Sequence, residues 1–279
     1  MLVLVIAACG HSTAPRAAVA TSTTTTASTG STTTTSASTT TTSASATTLA
    51  STKTTAVAPG IAGTVFVIDP GHNEGNSRHT TEINQQVDVG NGTKACDTTG
   101  TSTNDGYSEA SFNTDVANRV AIILRGAGAV VVLTRDGSTA WGPCITERAA
   151  IGNDAHADAA ISIHADGGPS GGRGFHVIEP LLVAGYNDNI IEPSERLALA
   201  VRDSYRAATD LPYSTYAGDD GIDARDDLGG LNLSNVPKVF IETGNMRNAA
   251  DAGLLEDPSF RQQIAIGIAD GLISFVNAR

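Results

Sequence analysis

Short β-branched runs that break off at turns, alternating with segments of helical pattern, constrain this chain more than any other feature. Thr64-Val-Phe-Val-Ile-Asp69 stops at Pro70-Gly71, Ala129-Val-Val-Val-Leu-Thr134 at a polar stretch, and Ala159-Ala-Ile-Ser-Ile-His164 at a glycine-rich turn. Runs of this length and composition read as buried strands. Gly174 to Glu179 and Lys238 to Glu242 supply two more. Between them lie helices. Ser108 caps a segment in which Phe112, Val116, Val120, Ile123 and Leu124 recur at helical spacing, and Gly126 and Gly128 end it. Ile145 to Asn153, Ser194 to Ala208 and Pro258 to Val276 read likewise, with Asp210 and Pro212 helping to stop the third. Such alternation predicts a single α/β domain over 61–279, with a twisted, mostly parallel sheet of about six strands and helices on both faces. Functional residues then belong at the carboxyl ends of the strands. The stretch from Asn73 to Gly106 is too long for a plain connection, so it carries either function, as a gate, or a hairpin around Glu82 to Val89.

The first sixty residues do not fit this pattern. From Thr21 to Ala56, 27 of 36 residues are Ser or Thr, which leaves too little apolar surface to offset the entropy of ordering. Residues 21–60 are therefore expected to be a disordered linker. Residues 1–20 look like the end of an export signal: Ile6-Ala7-Ala8-Cys9 has the form of a lipobox, which would make Cys9 a lipidation site, although the basic start of a signal is missing. An incidental apolar N-terminus is the alternative. With the Ser/Thr-rich linker, the lipobox form leads to the expectation of a domain outside the cytoplasm, at the cell wall or on the outer face of the membrane. Membrane attachment is expected only through a lipid on Cys9, since eight apolar residues cannot span a bilayer. A formal charge of −12 with no cluster of Lys and Arg argues against a nucleic-acid partner. A monomer is expected.

Three ionisable side chains end predicted strands: His72, His164 and Glu242. In a parallel sheet those ends share one edge, and Glu109 opens the helix after the long segment. Two imidazoles and a carboxylate suit zinc, which in catalytic sites keeps a fourth position for water. A further carboxylate can act on that water. Taken singly, each has a plainer role: for Glu109, interaction with the helix dipole; for Glu242, a loop ion pair. Asp69, Glu74, Glu82, Asp166 and His176 are alternative ligands, with Asp69 better read as bonding its turn or orienting His72.

Ordered motifs sharpen this. Val67-Ile-Asp-Pro-Gly-His72, Gly106-Tyr-Ser-Glu109 with Asn113, Leu133-Thr-Arg-Asp136 with Glu147-Arg148, Ser162-Ile-His-Ala-Asp166, Gly174-Phe175 and Glu242-Thr-Gly-Asn-Met-Arg-Asn248 with Asp251 follow one another from Val65 to Val276. In this the sequence resembles the zinc-dependent N-acetylmuramoyl-L-alanine amidases of amidase type 3, especially short actinobacterial cell-wall members. The resemblance implies one zinc ion held by His72, Glu109 and His164, with Glu242 as catalytic base. It implies a peptidoglycan or muropeptide substrate, cut at the amide between N-acetylmuramic acid and the L-alanine of the stem. Asn73-Glu74-Gly75-Asn76 and Asn245 depart from the family pattern, which bears on the groove and not on the reaction class. Another zinc hydrolase of the wall, a stem peptidase or a deacetylase, could use the same residues; a non-catalytic wall-binding or activator module is the remaining alternative. In an exported domain Cys96 and Cys144 are expected to pair and brace loops near the site, the alternative being two free thiols. Arg135, Glu147 and Arg148 are read as a structural ion-pair cluster. Asn245 and Asn248 either bond peptide groups or, for Asn248, cap the next helix.

Overall fold

Successive side chains of a strand face opposite ways, and this protein uses that alternation to build a sheet with unlike faces. A computed structural model describes residues 60–279; Cys9 and the Ser/Thr-rich stretch lie outside the described residues. Strand β1 (Val65–Pro70) leads into an excursion made of a 3-10 turn (Asn76–Arg78), α1 (Thr80–Ile83) and a hairpin of β2 (Gln86–Asp88) and β3 (Thr93–Ala95). Then come α2 (Glu109–Gly126), β4 (Val130–Leu133), α3 (Ile145–Asp154), β5 (Ala159–Asp166), β6 (His176–Pro180) and α4 (Ile191–Thr209). The chain closes with β7 (Ile222–Arg225), α5 (Gly229–Asn232), β8 (Lys238–Asn245), α6 (Ala249–Glu256) and α7 (Pro258–Asn277).

Six strands form one sheet in the order β4-β1-β5-β8-β6-β7. The first four run parallel, β6 runs antiparallel to β8, and β7 runs parallel to β6. The mostly parallel expectation holds, and the reversal of β6 has a simple cause. Nine residues separate β5 from β6, too few for the crossover that a parallel return needs. The chain therefore re-enters the sheet at the edge where it left. This puts the first residue of β6, His176, beside the end of β8. The hairpin of the excursion lies at Gln86–Ala95, later than the sequence pattern places it, because Gly90 at φ 91° supplies the turn.

One face of the sheet is apolar. Phe66, Ile68, Ile161, Ile163, Val177, Val239 and Ile241 are enclosed under α2, α4 and α7, against Phe112, Val116, Val120, Leu197, Val201, Ile264, Ile268 and Leu272. Each such side chain contributes about 1.5–3 kcal/mol by leaving water. Helix α7 lies so close to α4 that a Cβ on Gly271 would stand 2.6 Å from Val201 Cα, so that crossing admits only glycine. Ser108 caps α2 by accepting from Ser111 N–H, and Asp257 caps α7 ahead of Pro258. Asn248 caps α6 by accepting from Ala250 and Asp251, which settles its role. Among the described residues no helix is long and apolar enough to cross a membrane.

The opposite face is covered only by the short α3 and α5 and the excursion. After a small cluster of Val67, Ala160 and Val236 it becomes polar toward the strand ends.

Candidate active site

Parallel pairing sets the site's spacing before any loop contributes. His164 on β5 pairs with Glu242 on β8, and Glu242 pairs with His176 on β6, so the three side chains share one row on the polar face. His72 joins them from the turn after β1, held at φ 56°, a left-handed conformation that a residue with a side chain seldom keeps unless its surroundings enforce it. Two buried arginines enforce it. Arg148 donates to the carbonyls of Pro70 (2.8 Å) and His72 (2.9 Å) and to the carboxylates of Asp69 (2.9 Å) and Asp97 (3.0 Å). Arg135 donates to the carbonyls of Pro70, Gly71 and Ala110. The structural ion-pair reading of these residues therefore holds for the two arginines, which are buried struts. Glu147 instead accepts from Cys144 N–H at the start of α3.

Asp69 accepts from Thr134, Ser162, Arg148 and Lys238. Burial alone would raise its pKa, but Lys238 and Arg148 outweigh it and hold the carboxyl far below the ordinary range. It does not contact the His72 ring. That ring is oriented by the segment after Cys96: His72 Nδ1 lies 3.1 Å from the Thr98 carbonyl and 3.7 Å from Asp97 Oδ1. Cys96 and Cys144 form a disulfide across 48 positions of sequence, tying the Asp97 segment to the helix that carries Arg148.

Glu109, buried in the first turn of α2, draws the two imidazoles together. Its Oε1 lies 3.1 Å from His72 Nε2 and 2.9 Å from His164 Nδ1, while its Oε2 accepts from Thr101 N–H at 2.9 Å. The ligand atoms of His72, Glu109 and His164 all lie within 4.8 Å of one another. Tautomers follow from the other partners. The Thr98 carbonyl only accepts, which favours a proton on His72 Nδ1 and, in the neutral ring, a lone pair on Nε2. Ser162 Oγ donates to Asp69 and is left to accept from His164 Nε2 at 3.4 Å, which leaves Nδ1 as the lone pair. With both rings neutral, three electron-pair donors face one point, an arrangement that a cation, a metal ion or a proton, satisfies and a neutral ligand does not. Two nitrogens and one oxygen, with outer partners on both rings, are donor types that fit a metal ion such as zinc. A proton responds to the same field: burial disfavours the His72 cation, yet Glu109 and Asp97 outweigh it and raise the pKa to about 10. Burial also opposes the Glu109 anion, and His72 and His164 overcome it, holding the carboxyl well below its usual range.

Glu242 stands apart from this cluster. Its Oε2 is enclosed without a hydrogen-bond partner, and burial, followed by the carboxylates of Glu109 and Asp166, pushes its pKa well above the ordinary range. A carboxyl so placed takes up and holds a proton readily. Of the alternative ligands, Glu74 is exposed and bonds Thr114 and Arg135, Glu82 pairs with His79, Asp69 is engaged as described, and Asp166 lines the cleft wall.

Two hollows of about 240 and 300 Å³ meet at His72, His164, Leu228 and Phe240. The first extends to Lys94, Ala95, Ile145 and Asp227; the second holds Glu109, Asp166, Arg225 and Glu242. Phe240 stacks on His164 at 5.3 Å between ring centroids. Cβ atoms on Gly71 or Gly100 would fall 2.1 Å from His164 and 2.7 Å from His72, so both glycines are required for ring access. Asn245 does not face the cleft. Its amide donates to the Pro169 and Gly172 carbonyls and holds the β5–β6 loop. His176, an alternative ligand in the sequence, pairs with Glu242 and is not part of the His72–Glu109–His164 cluster; Arg225 and Tyr216, which no local pattern marks as functional, also lie near Glu242.

The family described as N-acetylmuramoyl-L-alanine amidase matches residues 66–274. A Mycobacterium tuberculosis protein named N-acetylmuramoyl-L-alanine amidase Rv3717 is 41% identical over 228 residues, 80% of this chain and 90% of that protein. The crystal structure of the amidase Ami1 from Mycobacterium smegmatis superposes with a TM-score of 0.74 at 40% identity, covering 79% of this chain and all of that one. Ami1 from Mycobacterium abscessus gives 0.71 at 42% identity, covering 77% and 99%.

Proposed function

The chain belongs to the N-acetylmuramoyl-L-alanine amidase family and is a peptidoglycan-acting enzyme; we propose that His72, Glu109 and His164 hold one zinc ion and that Glu242 moves the proton. The observation that carries this reading is the convergence of three electron-pair donors beside a carboxyl inclined to keep a proton. When bound, zinc supplies Lewis acidity, polarising a carbonyl and lowering the pKa of water to about 7.

The protein's own groups do the rest. The bond broken joins the lactyl carbonyl of N-acetylmuramic acid to the nitrogen of L-alanine. Glu242 accepts a proton from the attacking water as its oxygen bonds the carbonyl carbon. It returns that proton to the departing nitrogen as the C–N bond breaks, so the products are a lactyl carboxylate and a free stem amine. Phe240 and Leu228 flank the rings with apolar surface and limit bulk water around them. Arg225 presents a cation to the cleft in which anionic stem groups would lie, steadied by Asp227 at 2.7 and 2.9 Å.

General acid–base help contributes ~10²- to 10⁴-fold, so Glu242→Gln should lose that much turnover while retaining zinc. Mass analysis of digested muropeptides reads the bond cut: intact stems with a free L-alanine terminus are expected, and cleavage inside the stem or release of acetate would overturn the assignment. Work on the wall places the enzyme outside the cytoplasm. The Ile6-Ala7-Ala8-Cys9 sequence supports acylation at Cys9, and Cys9→Ser should move the protein from the membrane fraction to the medium. Retention in the membrane would remove the anchor from this reading.

A further inference from the structure

Behind Glu242, on the side away from the two imidazoles, three buried polar atoms lack a protein hydrogen-bond partner: Glu242 Oε2, His176 Nδ1 and Tyr216 Oη. Buried polar groups are hydrogen-bonded in the great majority of cases, and each exception calls for a reason. Three at one place call for a single one. His176 is the direct cross-strand neighbour of Glu242 and is almost fully enclosed. Tyr216, from the loop between α4 and β7, meets the His176 ring edge-on at 6.2 Å between centroids. Its own ring is clamped by the β5–β6 loop, where a Cβ on either Gly168 or Gly172 would come within 2.6 Å of it. Burial, then the Asp166 carboxylate and, more weakly, Glu242 push the Tyr216 pKa upward; Asp166 is near enough to favour the protonated hydroxyl without meeting the geometry of a hydrogen bond.

We infer that His176 and Tyr216 form a seat for the inner oxygen of Glu242, closed by one ordered water shared among Glu242 Oε2, His176 Nδ1 and Tyr216 Oη. A buried water of this kind needs two to four polar partners, and the three groups supply them. The seat holds Oε2 so that Oε1 faces the cleft, and it fixes the carboxyl plane along which the proton is taken and returned. Neither residue touches the substrate; both are positioning residues. The inference rests on Glu242 being the proton carrier and extends that reading to what aims it.

The test uses the full-length zinc-loaded enzyme with N-acetylmuramoyl-L-alanyl-D-isoglutamine as substrate. Y216F deletes one oxygen, H176F removes both ring nitrogens, and H176Q keeps a polar atom at that position. Y216F and H176F should each lower kcat about tenfold with KM within about twofold of the parent, since a hydrogen bond to an ionisable group is lost but ground-state binding is not. Zinc content, measured by elemental analysis, should be unchanged. H176Q should recover most of the loss, and Y216F/H176F should be no worse than either single variant, because both act through one water. In an E242Q background Y216F should have no further effect. Unchanged kcat in Y216F and H176F would overturn the seat, as would losses that multiply in the double variant or persist in E242Q. Parent-level turnover by E242Q itself is a different result: it would overturn Glu242 as proton carrier and the seat with it.

Discussion

On β5, Ile161, Ile163 and Ala165 turn into the helices while Ser162 and His164 turn the other way; on β8, Val239 and Ile241 do the first and Lys238, Phe240 and Glu242 the second. The same backbone thus carries two kinds of construction, one residue out of phase. On the helix side stability comes from apolar area removed from water, which is non-directional and tolerates changes that keep volume. On the site side it comes from pairing: Asp69 has four partners, Arg148 has two carboxylates and several carbonyls, and Lys238 is buried against Asp69. Removing one partner there leaves another group buried and uncompensated. The lesson is that a volume rule governs one face and a partner rule the other.

The widest break between the faces should come from His164→Ala. Zinc measured on the purified variant should fall to background and turnover should be abolished, with the helix side unaffected by circular dichroism; full zinc content would show that the site-side row is not a metal site. Next is Arg148→Met, which should cost about 3–5 kcal/mol in urea unfolding because Asp69 and Asp97 lose their shared cation. The same variant sharpens the acid response. Asp69 has a folded pKa below its unfolded value, so its contribution is fully present above about pH 4 and is lost as pH falls through the folded value. Arg148→Met should remove part of that loss, and an identical acid profile in parent and variant would contradict it. Reducing the Cys96–Cys144 bond should cost roughly 4 kcal/mol by the chain-entropy model for a loop of this length. The loss should be accompanied by weaker zinc retention, since the bond joins the segments that carry Asp97 and Arg148. Smallest is Ile241→Val, one residue from Glu242 yet facing the helices. It should cost about 0.5–1.5 kcal/mol with zinc content and kcat unchanged; a large loss of kcat would mean that the faces are not independent.

The apolar face was legible in the sequence because its signal is local: Phe66 and Ile68, or Ile161 and Ile163, announce a strand by period and composition. His72, His164 and Glu242 were legible for a related reason, standing where apolar runs stop, and Glu109 stood one residue after a helix cap. The partner rule was not legible. Nothing around Arg135 or Arg148 says that they are buried, since burial of a charge depends on carbonyls and carboxylates brought from as far as 25 to 79 positions away. His176 was legible only as an alternative ligand; its place beside Glu242 depends on the reversal of β6, which follows from a loop length and not from a motif. Tyr216 and the short β7 and α6 lie in stretches whose composition resembles loops.

The rung shared by His164 and Glu242 has a consequence for how such proteins diverge. Neighbouring strands lie about 4.8 Å apart wherever a ladder is intact, so the spacing between His164 and Glu242 is fixed by backbone hydrogen bonds and not by a loop. The excursion after β1 and the connections on either side of β6 can be lengthened, shortened or exchanged without altering that interval. Changes in what enters the cleft and changes in what happens there are inherited on different parts of the chain.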